Sequence, residues 1–223
     1  MISAIDVSVS IIIPTVNESA TLGETLARLD PTAEVIVTDG GSSDSTEETA
    51  AAFGVKFHSA GIKSRGVQMN QAAAMAHGDF LLFLHADTHL QGQSFKNFIN
   101  ILAADPDIVG GGFYRFFDSP SVFLKITSHL ANLRSKYWGV FLGDQGIFVR
   151  KEIFSALQGF DENLPFGEDL DFSLRLRRLG RTAAIQPAVL TSARRFDRSG
   201  PLRQTLQDFF LSLQIIRANN NRS

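Results

Sequence analysis

The feature that most constrains the fold is an alternation of short apolar segments with helical segments through the first half of the chain. Predicted strands cover residues 7–14, 33–39, 55–58 and 79–84, and predicted helices between them cover residues 20–29, 44–53 and 64–77. Apolar strands separated by helices of this length are typical of βαβ units, in which a parallel sheet is covered on both faces. The sequence therefore predicts an α/β fold with a mainly parallel central sheet flanked by helices.

The second half of the chain is less regular, but it continues the same mixture of elements. Strands are predicted over residues 109–117 and 145–150, and helices over residues 122–138, 168–179 and 201–216. The 223 residues contain no internal repeat, no low-complexity tract and no linker, so we expect a single domain over residues 1–223.

The composition excludes several classes of protein. Lysine and arginine total 21 against 23 aspartate and glutamate residues, so the net charge of −2 provides no electrostatic footprint for nucleic acid. The chain has no cysteine, which removes disulfide scaffolds, zinc–cysteine sites and thiol nucleophiles. No apolar run approaches the ~20 residues that a membrane-spanning helix needs, and the start of the chain lacks signal-peptide features. We therefore expect a cytoplasmic protein without an integral membrane segment.

Three polar clusters follow three of the predicted strands. They are Pro14-Thr15-Val16-Asn17-Glu18 after the first strand, Asp39 to Asp44 after the second and His85-Ala86-Asp87 after the fourth. Because the carboxyl ends of parallel strands meet at one edge of a sheet, we expect the clusters to converge there. Open α/β sheets bind their ligands at this edge.

Two acids in these clusters, Asp39 and Asp87, each have two interpretations. Asp87 could hold a hard divalent cation that also contacts substrate phosphates, or it could cap a helix or occupy a turn. Asp39 precedes two glycines over which a base or ribose could approach closely, but capping of the next helix is favoured. The chain has neither a G-x-G-x-x-G motif after the first strand nor a P-loop.

Two charged clusters occur later in the chain. Glu168, Asp169 and Asp171 open a predicted helix, where carboxylates favour the helix dipole, although Asp169 could instead face a cleft as a general base. Arg194 and Arg195 could bind phosphate through their guanidinium groups or lie on a solvated surface. The five histidines show no zinc-site spacing on a helix face.

Six motifs in order give these clusters a shared context. They are IIIPTVNES, VIVTDGGSSDST, SRGVQMNQAAAMAHGDFLLFLHADT, GDQGIFVRKEIF, GFDE and FGEDLDF. With this order and spacing, the chain resembles glycosyltransferase family 2, the nucleotide-sugar transferases of the GT-A fold, over residues 7–198. The resemblance implies a nucleotide-sugar-binding half at about residues 7–105, an acceptor and catalytic half at about 106–198, and a C-terminal amphipathic helix in residues 199–223.

The resemblance also implies roles for single residues. The positions that match nucleotide-sugar contacts are Pro14, Thr15, Asn17, Glu18, Asp39, Arg65, Asn70, Ala86 and Asp87. Within this set Asp39 contacts the base, and Asp87 holds Mg²⁺ or Mn²⁺ against the diphosphate of the donor. Glu168 and Asp169 match the catalytic pair, with Asp169 as general base of an inverting displacement, and Arg194 and Arg195 are candidate phosphate contacts.

The chain departs from the family pattern at three places. His85 replaces the first acid of the D-x-D motif, Gly40 replaces the second of an acidic pair, and the Q-x-x-R-W motif of processive synthases is matched only loosely by SARRF. We therefore expect single transfers and no processive polymerisation. The HAD and RRF elements are similar to those of a bacterial subgroup associated with arsenosugar biosynthesis.

Two other functions compete with a sugar transfer to an acceptor hydroxyl. A sugar-phosphate nucleotidyltransferase has a glycine-rich loop after its first strand, whereas the loop PTVNES has no glycine. A non-catalytic nucleotide-sugar-binding protein has no use for a base, whereas this chain retains Glu168 and Asp169. The acceptor is expected to meet residues 110–144, and no motif identifies it.

The last predicted helix carries an apolar face that consists of Leu202, Leu206, Phe209, Leu213 and Ile216. This face could pack on the domain, form a homodimer or lie on a membrane surface, and packing on the domain is favoured.

Overall fold

The computed structural model describes residues 7–194, 196 and 200–220. Its strands are β1 (Val9–Thr15), β2 (Glu34–Asp39), β3 (Lys56–Ser59), β4 (Phe80–Phe83), β5 (Thr88–His89), β6 (Ile108–Asp118), β7 (Ile147–Arg150) and β8 (Arg181–Ser192). Its helices are α1 (Ser19–Leu26), α2 (Thr46–Ala52), α3 (Arg65–Met75), α4 (Ser94–Ala104), α5 (Val122–Trp138), α6 (Lys151–Ala156), α7 (Glu168–Leu176) and α8 (Pro201–Asn220). A short 3₁₀ turn, Gly143–Gln145, precedes β7.

The strands form one sheet in the order β3-β2-β1-β4-β7-β6-β8-β5. The pairs β3–β2, β2–β1 and β1–β4 are parallel, which confirms the predicted α/β fold for the first half of the chain. The second half of the sheet is mixed, because β7 runs antiparallel to both β4 and β6, and β5 runs antiparallel to β8. The strands β6 and β8 are again parallel.

Alternate residues of the central strands enter two separate cores, one on each face of the sheet. On one face Ile11, Leu82 and Phe148 pack with Phe98 of α4. On the other face Ile12, Phe83 and Val149 pack with Phe172 of α7 and with residues of α3 and α6. Both faces of β1 and β4 are therefore buried, which is why these strands consist almost entirely of apolar residues.

The sequence patterns did not delimit β5, α4, α6 or β8. Pro187 lies inside β8, and a proline in an otherwise strand-like segment argues against a strand. The pairing of β6 with β8 shifts between Phe113 and Arg115, so the stretch around Pro187 leaves the regular ladder. Side chains of α4 bond this stretch, because Asn97 donates to the carbonyl of Gln186 and Ser94 donates to that of Pro187.

The C-terminal helix α8 packs on the domain, as favoured by the sequence. Ile215 is buried with Val140 and Leu170, and Asn219 donates a hydrogen bond to Asp171 of α7. Ile216 of the predicted apolar face is exposed, and Leu213 is half-buried. The side chains of Leu202, Leu206 and Phe209, also predicted for this face, lie outside the described part of the structure. No helix in the described ranges is both long enough and apolar enough to cross a membrane.

Three consecutive glycines allow β6 to approach its neighbours closely. A Cβ atom on Gly111 would lie 2.0 Å from the carbonyl oxygen of Ala183 in β8, and one on Gly112 would lie 2.7 Å from the ring of Phe141. The register shift between Ile108 and Gly110 occurs in the same stretch, so close approach and irregular pairing occur together here.

We expect Gly111→Ala to destabilise the fold by roughly 3 kcal/mol, because the added Cβ atom would clash with the backbone of Ala183. The backbone of a paired strand cannot move away as a flexible side chain can. Urea unfolding measures the change. Gly54→Ala is the matched control: Gly54 has a positive φ of 65° with open space around it. The control should therefore cost only about 1 kcal/mol, and equal losses for both variants would contradict the close-approach explanation.

Candidate active site

A cleft with a volume of about 1030 Å³ opens at the carboxyl ends of β1 and β4. Four segments and one further side chain form its walls: the loop Pro14 to Glu18, residues 63–68 at the start of α3, residues 85–87 after β4, the segment from Glu162 to Glu168, and Arg194. The expectation that the loops after the first and fourth strands meet at one edge is confirmed.

The loops after β1 and β2 are bonded to each other. The backbone N–H of Asn17 donates to Oγ of Ser42 at 2.7 Å, and Oδ1 of Asn17 accepts from the backbone N–H of Ser43 at 2.8 Å. Asn17 has a positive φ of 55°, a conformation that asparagine tolerates better than most residues. These two hydrogen bonds fix the loop Pro14 to Glu18, which the family resemblance assigns to the binding of the nucleotide sugar.

Asp39 ends β2 and holds the glycine turn that follows. Its carboxylate accepts hydrogen bonds from the backbone N–H groups of Gly41 and Ser42, both at 2.7 Å, and from Oγ1 of Thr15 at 3.1 Å. Burial by itself would raise the pKa of Asp39, but the hydrogen bonds from Ser42, Gly41 and Thr15 outweigh it and lower the pKa. The favoured helix-cap role is wrong, because the N-cap of α2 is Ser45 and Asp39 holds the turn instead.

Gln68 of α3 is a site residue that sequence reasoning missed. Its side chain is buried, and Nε2 donates to the carbonyl oxygens of Thr15 at 2.8 Å and Thr38 at 3.1 Å. A Cβ atom on Gly40 would lie 2.9 Å from this nitrogen, so a side chain at that position would displace the amide. The sequence signal that could have identified Gln68 is its position as a polar residue on the buried face of α3.

Asp87 lies in a turn after β4, with its carboxylate partly exposed to the cleft. The backbone N–H of Thr88 donates to the carbonyl of His85 at 3.1 Å, which closes the turn. The helix-cap alternative is wrong for Asp87, because the next helix begins only at Ser94. Ala86 is buried, and its carbonyl accepts from Oγ1 of Thr25 at 2.7 Å.

Arg194 joins two carboxylates of the cleft. Its Nη2 lies 2.9 Å from Oε2 of Glu18 and 2.9 Å from Oδ2 of Asp87. Burial alone would lower the pKa of Arg194, but the bonds to Glu18 and Asp87 raise it. Arg194 therefore lies in the cleft with its side chain 40% exposed, whereas Arg195 lies outside the described residues.

His85 lies beside the start of α3. Its Nε2 is 3.3 Å from Nη1 of Arg65. Burial and the positive charge of Arg65 lower the pKa of His85, against the opposing effect of nearby carboxylates that include Asp169. The imidazole therefore stays neutral near pH 7, and Nε2 can accept a hydrogen bond from Arg65.

The three acidic residues at the start of α7 have different contacts. Asp171 pairs with Arg175 and is structural. Glu168 lines the cleft, is buried, and lies 3.4 Å from Nε of Arg65; burial and the adjacent Asp169 raise the pKa of Glu168, although Arg65 opposes them.

Asp169 is oriented by two backbone N–H groups. Its Oδ2 accepts from Gly143 at 2.7 Å, and its Oδ1 accepts from Leu170 at 2.7 Å. A Cβ atom on Gly143 would lie 3.2 Å from Oδ2 of Asp169 and 2.5 Å from Nε2 of His85. The glycine therefore lets the strand-end histidine and the helix-start carboxylate lie close together.

Asn70 does not lie in the wall of the cleft. Its Nδ2 donates to the carbonyl of Phe160 and to Oε1 of Glu162, both at 2.9 Å, and its Oδ1 accepts from the backbone N–H of Phe160 at 2.9 Å. The structure thus shows Asn70 holding the loop that forms one wall of the cleft, a different position from the expected one over the nucleotide.

No three histidine, aspartate or glutamate side chains lie close enough together to hold a metal ion by themselves, within the ranges that the structure describes. A cation here would need further ligands from a bound molecule, which is how Mg²⁺ is commonly held with one or two carboxylates and substrate phosphates.

The fold and the strand-end cleft define an α/β protein of the GT-A type. The model of the glycosyl transferase family 2 matches residues 10–157, so the chain belongs to this family. The acidic pair of α7 and Arg194 lie beyond the matched residues. No curated protein matches the chain.

Solved structures with the same fold are distant in sequence. A mannosyltransferase from Pyrobaculum calidifontis, in complex with GDP-Man and Mn²⁺, is 20% identical with a TM-score of 0.66, over 83% of this chain and 56% of that one. TarS residues 1–349 from S. aureus are 17% identical with a TM-score of 0.65, over 95% and 65%. Glucosyl-3-phosphoglycerate synthase from Mycobacterium tuberculosis, in complex with Mn²⁺, UDP and glucosyl-3-phosphoglycerate, is 18% identical with a TM-score of 0.56, over 84% and 71%. The chain thus spans less than two thirds of the length of the first two.

We expect Asn70→Ala to lower the free energy of unfolding by about 2 kcal/mol, because it leaves the buried backbone groups of Phe160 without partners. The measurement is urea unfolding, with the neighbouring Gln71→Ala as control. Gln71 is exposed and bonds only the ring of His58 among the contacts described. An unchanged stability for Asn70→Ala would contradict its role in holding the loop.

Proposed function

We propose that this protein transfers one sugar from a nucleoside-diphosphate sugar to an acceptor hydroxyl, with inversion and with the help of a divalent cation. The observation that carries the proposal is the convergence of the carboxylates of Glu18 and Asp87 on one cationic centre in the cleft. In a chain of glycosyl transferase family 2, such a centre is suited to a diphosphate and its counter-cation.

The neighbours in fold support the class of ligand. The mannosyltransferase holds GDP-Man with Mn²⁺, the synthase holds UDP with Mn²⁺, and TarS has been solved with UDP-GlcNAc. We propose that the cleft of this chain, whose volume of about 1030 Å³ is adequate for such a donor, binds a nucleotide sugar in the same way.

The residues present fit a divalent cation. Asp87 supplies a carboxylate that is accessible from the cleft, and Glu18 adds a second negative charge beside it, so together they already attract a guanidinium group. When bound, the cation neutralises the charge that develops on the departing nucleoside diphosphate. Asp87 would hold it, and phosphate oxygens would complete its coordination.

Asp169 is the proposed general base. In the transfer, the acceptor oxygen attacks the anomeric carbon while the bond from that carbon to the diphosphate oxygen breaks, and the proton of the acceptor hydroxyl passes to the carboxylate of Asp169. The diphosphate leaves with the electron pair, so one displacement inverts the anomeric centre without a covalent glycosyl-enzyme. The backbone bonds from Gly143 and Leu170 support this role, since they fix the carboxylate before the acceptor arrives.

Two neighbouring groups would assist this step. Arg65 lies against both Glu168 and His85, where its charge would face the donor, and Lys63 also lines the cleft. Asp39 and Asn17 hold the loops against which the nucleoside would lie, as the family resemblance implies.

We retain the arsenosugar subgroup as a hypothesis that rests on the HAD and RRF elements alone.

Arg194 would have two alternative partners during the cycle. Without a donor it pairs with Glu18 and Asp87, and the same guanidinium would turn to the phosphates when a cation takes its place beside Asp87. Arg194 would therefore compete with the cation before the donor binds and help to hold the donor afterwards.

We expect Arg194→Gln to have effects of opposite sign on the two ligands. Without nucleotide, the affinity for Mn²⁺ should rise about threefold, since the competing, partly exposed ion pair is worth under 1 kcal/mol. The affinity for UDP or GDP in the presence of Mn²⁺ should fall about tenfold, since a charge-assisted bond to phosphate is lost. Electron paramagnetic resonance of free Mn²⁺ and calorimetric titration of the nucleotide measure the two changes.

The control for this variant is Arg178→Gln. Arg178 is exposed after α7, away from the residues that line the cleft. It should leave both affinities unchanged. A fall in both affinities for Arg194→Gln, or no change in either, would contradict the exchange of partners.

We expect Asp169→Asn to lower the transfer rate at least 100-fold, because the proton acceptor is lost and the amide can accept only one of the two backbone bonds from Gly143 and Leu170. The affinity for the nucleotide should stay within about twofold, because neither of these two partners lines the cleft. The assay uses a panel of UDP- and GDP-sugars with Mn²⁺ and measures the nucleoside diphosphate that is released when the sugar passes to an acceptor or to water. Asp107→Asn, an exposed acid in the loop before β6, is the control and should keep the full rate.

Glu168→Gln belongs in the same series, because Glu168 lines the cleft and its pKa is raised. If Asp169→Asn retains the full rate, Asp169 is not the base, and a loss confined to Glu168→Gln would move the role to its neighbour. If a nucleotide binds but no donor in the panel is turned over by the wild type, the non-catalytic binding alternative is favoured.

A further inference from the structure

Helix α5 presents an apolar stripe to the solvent. Its members, which are each between 54% and 70% exposed, are Val122, Ile126, Leu130, Tyr137 and Trp138. The first three are spaced four residues apart, so they lie along one side of the helix, while the two aromatic residues end it. Scattered exposed hydrophobic residues need no explanation, but a continuous stripe on one helix does.

The opposite face of α5 is firmly fixed on the domain, so the stripe cannot turn inward. Leu124 is buried against Phe117, and Ser128 and Ser135 are buried further along the helix. The side chain of Asn132 bonds both the N–H and the carbonyl of Arg115 in β6, at 3.0 and 3.1 Å.

The charged side chains of α5 are all basic. Lys125 and Lys136 are exposed on this helix, and α5 contains no aspartate or glutamate. The nearest carboxylate in the sequence is Asp118, before the start of the helix. The whole chain has a net charge of −2, so this basic, apolar surface is a local feature and does not follow from the composition.

We propose that the exposed face of α5 is a docking surface for the headgroup region of an anionic lipid bilayer. A helix of 17 residues is about 25 Å long and would lie in the plane of the interface, with the apolar stripe inserted and the lysines near the lipid phosphates. Tyr137 follows Leu130 by seven residues and so continues this face, and the exposed Trp138 ends the helix. Both rings are apolar in body and polar at one edge, as residues at membrane–water interfaces are.

A second copy of the chain, bound through the same face as a homodimer, is less favourable than a bilayer. In a twofold dimer the same patch faces itself, so the basic side chains of one copy meet those of the other. No carboxylate on α5 is available to pair with them in any register. An anionic bilayer, in contrast, supplies negative charge beside both lysines.

The test uses the intact chain and its single tryptophan, Trp138, as a built-in probe. Vesicles of phosphatidylcholine, with and without phosphatidylglycerol as roughly a third of the lipid, are titrated in while the fluorescence is recorded, and co-sedimentation is measured in parallel. We expect a blue shift and sedimentation with the anionic vesicles and much weaker binding to phosphatidylcholine alone.

Two pairs of substitutions separate the contributions of the stripe and of its charges. Ile126→Glu with Leu130→Glu should weaken binding at least tenfold, and Lys125→Gln with Lys136→Gln about tenfold for anionic vesicles only. The matched controls are Phe53→Glu with Leu179→Glu and Lys96→Gln with Arg178→Gln, which are exposed elsewhere and should bind as the wild type does. Far-ultraviolet circular dichroism shows that each variant is folded.

Absence of binding to anionic vesicles by the wild type overturns the proposal, and so does binding that survives Ile126→Glu with Leu130→Glu. A concentration-dependent dimer that this pair abolishes, without vesicle binding, would assign the face to a second copy of the chain instead. The assay uses neither a nucleotide nor a metal, so its outcome is independent of the proposed sugar transfer.

Discussion

The parallel pairing of β1 with β2 on one side and β4 on the other is the constraint on which the site depends. It brings the chain segments after three strands to one edge of the sheet, where their polar residues have no further strand to pair with. Thr15 and Asp39, which end β1 and β2, are direct partners in the ladder and are also joined through their side chains. The carboxylate of Asp39 then holds the next turn, so the ladder extends into the walls of the cleft.

The charges of the cleft are arranged in two groups that a ligand would rearrange. At one end Arg194 lies between the carboxylates of Glu18 and Asp87, and at the other Arg65 lies beside Glu168. Each carboxylate would repel the others without these cations, because like charges in a partly buried site are costly. A ligand that supplies both negative phosphate and a positive ion would offer new partners to the cations and to the carboxylates of this set.

The sequence predicted the first half of the sheet and the position of the cleft, because hydrophobic runs and polar strand ends are local signals. It did not predict β8, where Pro187 interrupts the pattern, nor the bonds of Gln68, which depend on how a helix lies over two strands. Asn70 shows the limit of transfer by motif: the residue is where the motif places it in the chain, yet its amide is used on the loop at Phe160. The sequence also predicted α5 as a helix over residues 122–138, but only the packing of the domain shows that much of its apolar surface stays exposed.

The measurement that tests the account most directly is calorimetric titration with UDP and GDP, each with and without Mn²⁺, on the wild type and on Asp87→Asn. The account predicts that one nucleotide binds, that Mn²⁺ strengthens its binding at least tenfold, and that the substitution removes this gain while weaker metal-free binding remains. Binding that is indifferent to Mn²⁺, or a gain from Mn²⁺ that survives the loss of the Asp87 carboxylate, would contradict the assignment of the cation to this site. Absence of binding to either nucleotide by the folded protein would contradict the cleft as a nucleoside diphosphate site.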